Sequence, residues 1–215
     1  MLNDLFTEAQ RICLPILSRH SDESDAAHDI SHLYRVAKTC RKICATEPSA
    51  DALVVFIAAF LHDLVNVPKN SPDRTKASLF SADLAIKELE ALSILSQQQL
   101  ETLHSTIETH SFSLGKEPTC IEGYILRDSD RLDAIGAIGV ARCFATGPRM
   151  GAKLYDWADP KAHHRDLDDK SFSIDHFFTK LFTLSEGMHT EEGKRLAKQR
   201  HDFMQSFVDQ FFDEV

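Results

Sequence analysis

The adjacent ionisable residues His62 and Asp63 directly follow an uninterrupted run of apolar residues, Leu53–Leu61. Burying an imidazole and a carboxylate costs on the order of several kcal/mol unless something pairs with them. A divalent cation is a natural partner, because it binds neutral imidazole nitrogen and carboxylate oxygen and offsets the buried negative charge. His32 upstream and Asp130 downstream are candidates to complete such a site. These residues therefore predict a buried metal centre.

This set of ligands is typical of catalysis rather than of structure. Two imidazoles and two carboxylates suit Mn²⁺, Fe²⁺, Zn²⁺, Ni²⁺ or Mg²⁺, and ligand softness alone does not choose among them. Four protein ligands on an ion that accepts five or six leave room for water and for a substrate oxygen, as catalytic sites do. Such an ion lowers the pKa of bound water towards about 7 and polarises a phosphoryl oxygen.

Helical periodicity dominates the segments that must position these residues. Ser49 is the predicted N-cap of the apolar helix, which should end near Asn66 because Pro68 disfavours helical geometry in the residue before it. Ser96 with Gln99 forms a capping-box signature. The predicted helices cover about residues 2–19, 25–45, 50–66, 78–92, 97–111, 119–144, 173–184 and 190–212.

The whole pattern predicts an all-α fold, because no repeat and no sustained strand-like alternation is present. We expect one domain over residues 1–215, a helical bundle with a buried metal site and with its N-terminal helix inside residues 1–24. Residues 147–170 are too long and irregular for a plain connector, so we interpret them as a lid-like loop. C-terminal helices should occupy residues 173–215.

Composition narrows the class of protein. With 215 residues, 43% of them apolar and 27% charged, the chain matches an ordinary globular protein. The net charge of −9 argues against binding a nucleic-acid polymer or an anionic membrane surface. Five scattered cysteines favour reduced thiols. We therefore expect a cytoplasmic protein with no signal peptide and no membrane span, and the sequence leaves its oligomeric state open.

The order His32, His62-Asp63, Asp130 resembles the HD-domain superfamily of metal-dependent phosphohydrolases. Longer stretches resemble its YedJ/YpgQ-type branch: AHDISHLYRV (27–36), LHDLVNVPKN (61–70), HSFS (110–113), RDSDRLDAIGAIG (127–139) and HFFTKL (176–181). The resemblance runs from about residue 25 to the end. It implies an HD-type helical fold, a metal at the four residues named, and hydrolysis of phosphate esters or anhydrides, with nucleotides the favoured substrates.

Three residues are candidates for the chemical step. We expect Asp63 both to bind the metal and to orient the attacking water, with His28 or His110 moving a proton. The resemblance implies that His110 points into the pocket, donating to phosphate or joining a second metal; a position outside the pocket is the alternative. His28 either lines the pocket or fills a packing gap. His28 and His32 mimic a zinc-protease motif, but Asp29 replaces its glutamate.

Five residues are candidates for substrate binding. Lys69 and Asn70 follow the predicted helix that carries the His-Asp pair, so their loop should leave the core close to the metal. Arg131 follows the fourth ligand, but neighbours on a helix diverge by about 100°, so a structural ion pair is its alternative. His176 and Lys180 are one turn apart and would present a cation to substrate, or form a surface pair.

The sequence thus predicts a phosphohydrolase that cleaves a small phosphorylated metabolite, a nucleotide first, by metal-activated water. We expect Mn²⁺, with Mg²⁺, Co²⁺, Ni²⁺, Fe²⁺ or Zn²⁺ as alternatives. An HD-type di-iron oxygenase is a second hypothesis, with His28, His104 and His110 as extra ligands. A non-catalytic nucleotide-binding regulator is a third.

Overall fold

The computed structural model describes residues 1–20, 30–68, 71–111 and 115–215. These residues form helices and no β-strand, apart from an isolated bridge between Lys153 and Phe172. The α-helices are α1 Leu2–His20, α2 Ile30–Cys44, α3 Ala52–Leu61, α4 Ala77–Glu90, α5 Gln97–Thr109, α6 Ile121–Asp133, α7 Gly136–Thr146 and α8 Glu191–Asp213. The predicted all-α class is confirmed. No helix in the described ranges has the length and apolar character that crossing a bilayer requires.

The chain divides into two compact units, residues 1–130 and 131–215, with the division inside α6. In the first unit α3 packs against α1, α2, α4 and α5. Because α3 is apolar on every side, nearly all of its side chains are buried. The apolar helix predicted from the sequence is therefore the central, buried helix of this unit.

Both ends of α3 differ from the prediction. The N-cap is Asp51, not Ser49: the Asp51 carboxylate accepts hydrogen bonds from Leu53 N at 3.1 Å and from Val54 N at 3.3 Å. The helix ends at Leu61 rather than near Asn66. Val65 N, whose helical acceptor would be Leu61 O, donates instead to the Ser81 hydroxyl on α4 at 3.0 Å. A bond to a neighbouring helix thus replaces the next turn of α3.

The predicted helix over 119–144 is two helices, α6 and α7. Ile135 is extended, and Gly136 has a φ of +76°, a backbone conformation that only glycine adopts without strain. A Cβ on Gly136 would lie 2.9 Å from Arg200 Cγ of α8, so the break also lets α8 approach closely. The Ser96–Gln99 capping box at the start of α5 is present as predicted.

The second unit contains the predicted lid-like loop. Lys153 exchanges backbone hydrogen bonds with residues 171 and 173, and the Arg165 guanidinium donates to both carboxylate oxygens of Asp175. These contacts tie the segment to the residues that directly follow it, and its role as a lid stays a prediction. The predicted helix over 173–184 is present in irregular form: a π-helix, Phe177–Leu181, is followed by a 3₁₀ turn, Thr183–Ser185. The predicted C-terminal helix is confirmed as α8.

Candidate metal centre

Three elements of the first unit converge on one cluster of ionisable side chains. His32 lies on α2, His62 and Asp63 directly follow α3, and Asp130 lies on α6. The side chain of His62 is 0% exposed, whereas those of Asp63 and Asp130 are 30% and 33% exposed, so the cluster is open to solvent on the side of its carboxylates. Side chains from several helices thus meet at one point, as in metal sites built into helical bundles.

The nitrogen and oxygen atoms of these four side chains lie close together. His32 Nε2 is 3.3 Å from His62 Nε2 and 3.4 Å from Asp130 Oδ1. Asp63 Oδ2 lies 3.5 Å from His62 Nε2 and 3.9 Å from His32 Nε2. Since nitrogen and oxygen ligands bind at about 2.0–2.2 Å, two atoms sharing one ion lie no more than about 4.4 Å apart. All of these separations satisfy that limit.

Backbone carbonyls set the orientation of two imidazoles. His62 Nδ1 is 3.0 Å from Ala59 O, and His110 Nδ1 is 2.6 Å from Ile107 O. A carbonyl oxygen only accepts, so Nδ1–H donates in each ring and Nε2 keeps its lone pair. That tautomer is the one a metal-ligating histidine has when its other nitrogen is held by the protein. The donor set therefore fits a divalent ion.

The ionisation of the cluster also fits a cation. Burial lowers the pKa of His62, and this outweighs the opposing attraction of Asp63. Burial alone would raise the pKa of Asp130, but the hydrogen bond with His32 and the neighbouring imidazoles outweigh it and hold this pKa well below its usual range. A neutral imidazole beside an ionised carboxylate is the state that binds a metal.

His110 extends the cluster on the side of Asp63. Its Nε2 is 3.9 Å from Asp63 Oδ1, and its ring centre is 4.8 Å from that of His62. His32, His62 and Asp130 therefore form one potential ligand group, and His62, Asp63 and His110 form a second that shares His62.

His104, a further ligand in the di-iron hypothesis, lies outside the cluster. Its Nε2 is 2.9 Å from Asp83 Oδ1, so the two residues form a pair between α5 and α4. Asp128, which precedes the Asp130 ligand by two residues on α6, is completely buried. Asp133 is also buried, and its carboxylate pairs with Arg142.

Of the remaining predicted site residues, three lie in the second unit and three lie outside the described residues. His28, Lys69 and Asn70 fall outside the described residues. Within the second unit, the Arg131 guanidinium donates to backbone carbonyls of the turn at residues 184–187, at 2.7 Å for Glu186 O. His176 Nδ1 is 2.8 Å from an Asp169 oxygen, and Lys180 is exposed on the π-helix. Their roles in substrate binding stay predictions.

Sequence reasoning missed Arg127, a buried arginine on α6 that binds the end of α5. A signal was available: a charged residue three positions before Asp130 lies on the same face of the helix as that ligand. It also opens the RDSDRLD stretch.

Comparison with known proteins agrees with this architecture. The HD domain family model matches residues 29–135, which include all four predicted ligands. An uncharacterized Bacillus subtilis protein, YpgQ, is 34% identical over 212 residues, which cover 97% of this chain and 94% of YpgQ.

Solved structures show the same similarity in three dimensions. A crystal structure of B. subtilis YpgQ in complex with ADP superposes with a TM-score of 0.65 at 28% identity, covering 100% of this chain and 94% of that one. An HD-superfamily hydrolase from Bacillus thuringiensis gives a TM-score of 0.69 at 28% identity, with 99% and 95% covered.

Proposed function

Because the chain belongs to the HD-domain family and is a metal-dependent phosphohydrolase, we propose that its substrate is a nucleotide. The bond cleaved is a phosphate ester or a pyrophosphate bond. The observation that carries the proposal is the convergence of two imidazoles and two carboxylates within the first unit. The ADP complex of YpgQ supports a nucleotide as the class of ligand.

We assign the divalent ion of this family to His32, His62, Asp63 and Asp130, with Mn²⁺ as the expected metal. Neutral imidazole and carboxylate ligands suit Mn²⁺ and leave Mg²⁺, Co²⁺, Ni²⁺, Fe²⁺ and Zn²⁺ as alternatives. When bound, the ion supplies Lewis-acid stabilisation of phosphoryl charge and makes water more acidic.

The protein's own groups then orient water and move its proton. Asp63 directs Oδ2 towards His62 and Oδ1 towards His110. In our scheme the Asp63 carboxylate accepts a hydrogen bond from the attacking water and orients it. His110 Nε2 carries a lone pair because Nδ1–H is committed to Ile107 O. This nitrogen accepts a proton in our scheme, and His28 is the second candidate for that role.

Substrate phosphate needs cationic and amide partners beyond the metal. Lys69 and Asn70 lie six and seven residues after Asp63 in the sequence, and we retain them as phosphate-binding residues. Lys180 is exposed, and its ammonium group forms no ion pair among the described residues, so it remains free to bind an anion. Arg131 and His176 stay in the proposal, although each has protein partners in the second unit.

The second ligand group is the observation that favours a two-metal alternative. His62, Asp63 and His110 would supply ligands to a second ion, as a di-iron oxygenase requires. Metal analysis separates the functions: one manganese or magnesium per chain supports the hydrolase, and two irons with oxygen consumption support the oxygenase.

The proposal is tested by stripping the purified protein of metal and restoring each ion in turn. Nucleoside mono-, di- and triphosphates are then screened, and ³¹P NMR identifies phosphate or pyrophosphate as the product. We expect Mn²⁺ to restore hydrolysis and Asp63→Asn to lower it by more than about 100-fold, beyond the loss typical of residues that only support ligands.

His104→Ala is the matched control, because it removes a histidine that lies outside the ligand groups. It should keep nearly full activity. Full activity of Asp63→Asn, or hydrolysis unaffected by removal of metal, would overturn the metal assignment. Hydrolysis of other phosphate esters with every nucleotide left intact would overturn the substrate class.

A further inference from the structure

Arg127 is a charged side chain enclosed inside the first unit. Its side chain is only 2% exposed and is the largest of the fully buried side chains in the described residues. Burying a charge is unfavourable unless its donors find partners. The guanidinium has donors in a rigid planar fork, so its partners show which parts of the chain it holds together.

These partners lie at both ends of the connection between α5 and α6. Nη2 donates to Thr109 O at 2.8 Å and also to Lys116 O. Nη1 donates to a Glu117 carboxylate oxygen at 2.7 Å. Thr109 is the last residue of α5, whereas residues 116 and 117 precede α6. One side chain of α6 therefore binds both the last residue of α5 and the segment that leads into α6.

The contact with Thr109 reaches the candidate metal centre through a single peptide group. The Thr109 carbonyl and the His110 amide share one rigid plane, so holding the carbonyl also fixes the backbone of His110. The last turn of α5 aims the imidazole, because Nδ1–H donates to Ile107 O. The opposite nitrogen, Nε2, lies 3.9 Å from Asp63 Oδ1.

We propose that Arg127 is the positioning residue for His110. Its guanidinium fixes the carboxyl end of α5 against α6, which keeps the imidazole of His110 beside Asp63. Arg127 and Asp130 are one turn apart on α6, so the same turn carries a metal ligand and sets the place of the proton-transfer histidine. The inference rests on the proposed function, in which His110 moves a proton.

An arginine is required for this role. Its planar fork reaches two carbonyl oxygens and a carboxylate from fixed directions, whereas a lysine ammonium is a single point on a flexible stem. Arg127→Lys keeps the positive charge and loses the fork. It therefore tests geometry rather than charge.

The experiment measures the imidazole of His110 directly in the full chain loaded with diamagnetic Mg²⁺. Long-range ¹H–¹⁵N NMR spectra report the tautomer, with the His110 signals assigned by their loss in His110→Gln. We expect Arg127→Lys to convert the single Nδ1–H tautomer into an averaged signal. With nucleotide, kcat should fall about tenfold or more, as for other residues that orient a catalytic group, while KM changes less than about threefold.

Two further variants make the result decisive. Arg165→Lys is the matched control, because Arg165 makes a forked contact with Asp175 in the second unit; it should leave the His110 signals unchanged. Glu117→Gln removes the charge of one arm of the contact on a side chain that is 67% exposed, so folding is not at risk. It should shift the His110 signals in the same direction as Arg127→Lys, and by less.

Unchanged His110 signals in both Arg127→Lys and Glu117→Gln would overturn the positioning role, whatever the change in thermal stability. If Arg127→Lys does not fold, Glu117→Gln alone decides the question. The NMR measurement needs no substrate. Failure of the unmodified protein to hydrolyse nucleotides would therefore count against the proposed function and leave the positioning role to be judged on the spectra.

Discussion

Replacing Asp51 with alanine should weaken the start of the helix that delivers His62 and Asp63. Its Oδ1 accepts from two backbone amides of α3, and losing such an N-cap costs about 0.5–2 kcal/mol. Its Oδ2 accepts from Gln99 Nε2 at 2.9 Å, and we take about 1 kcal/mol for this half-buried hydrogen bond. We therefore expect the free energy of unfolding to fall by about 1.5–3 kcal/mol, which lowers Tm by about 3–12 °C in a chain of this size.

Ser49→Ala is the matched control, because a hydroxyl at residue 49 was the N-cap predicted from sequence. In the described part of the chain its hydroxyl caps no helix, so the change should be below about 0.5 kcal/mol. Urea unfolding followed by far-ultraviolet circular dichroism measures both variants, and nucleotide hydrolysis should survive in both. Equal losses of stability, or a larger loss in Ser49→Ala, would refute the assignment of Asp51 as the cap.

Three further predictions concern the metal, the pH and the thiols. Mn²⁺ at about 100 times its Kd should stabilise the protein by about 2.7 kcal/mol in calorimetry. His104→Ala should keep this gain in stability. The same gain in His62→Ala would contradict the ligand assignment. Because burial lowers the pKa of His62, its imidazole binds a proton more readily in the unfolded chain than in the folded chain. The free energy of unfolding of the metal-free protein should therefore fall as the pH drops below about 6.5. The fall should be smaller in His62→Ala. A free energy of unfolding that rises over this pH range would contradict the reasoning. Burial raises the pKa of the Cys44 thiol to about 12, so iodoacetamide should modify the half-buried Cys120 before Cys44. Mass spectrometry measures the order of labelling. Early labelling of Cys44 would show that α2 is not packed as described.

The sequence predicted helices well where one residue type dominates the local physics. The capping box at Ser96 and the apolar character of α3 specify structure by themselves, and both appear as expected. The errors arise where a distant contact decides. Val65 leaves the helical pattern because Ser81, on another helix, offers an acceptor. The break at Gly136 accompanies the close approach of Arg200, which is far away in sequence.

The candidate site shows the same division. Residue types and order sufficed to name His32, His62, Asp63 and Asp130, because few other ligand-type residues close a strongly apolar run. Spacing did not separate His104 from His110: they are six residues apart near the end of α5, yet only His110 joins the cluster. Helix rotation and the packing of α5 on α3 and α4 decide which histidine faces inward.

The adjacent pair meets at the end of α3. Neighbouring residues on a regular helix point about 100° apart, and His62 keeps a helical backbone with φ −62° and ψ −31°. The side-chain torsions of His62 and Asp63 must therefore bring their ligand atoms together. In the structure α3 stops at Leu61, Leu64 N turns back to Leu61 O, and both side chains follow the last regular turn. His62 Nε2 and Asp63 Oδ2 then lie 3.5 Å apart, which two ligands of one ion require. The apolar helix supplies the burial of His62, and the two side chains that follow its last turn bring a nitrogen and an oxygen ligand together.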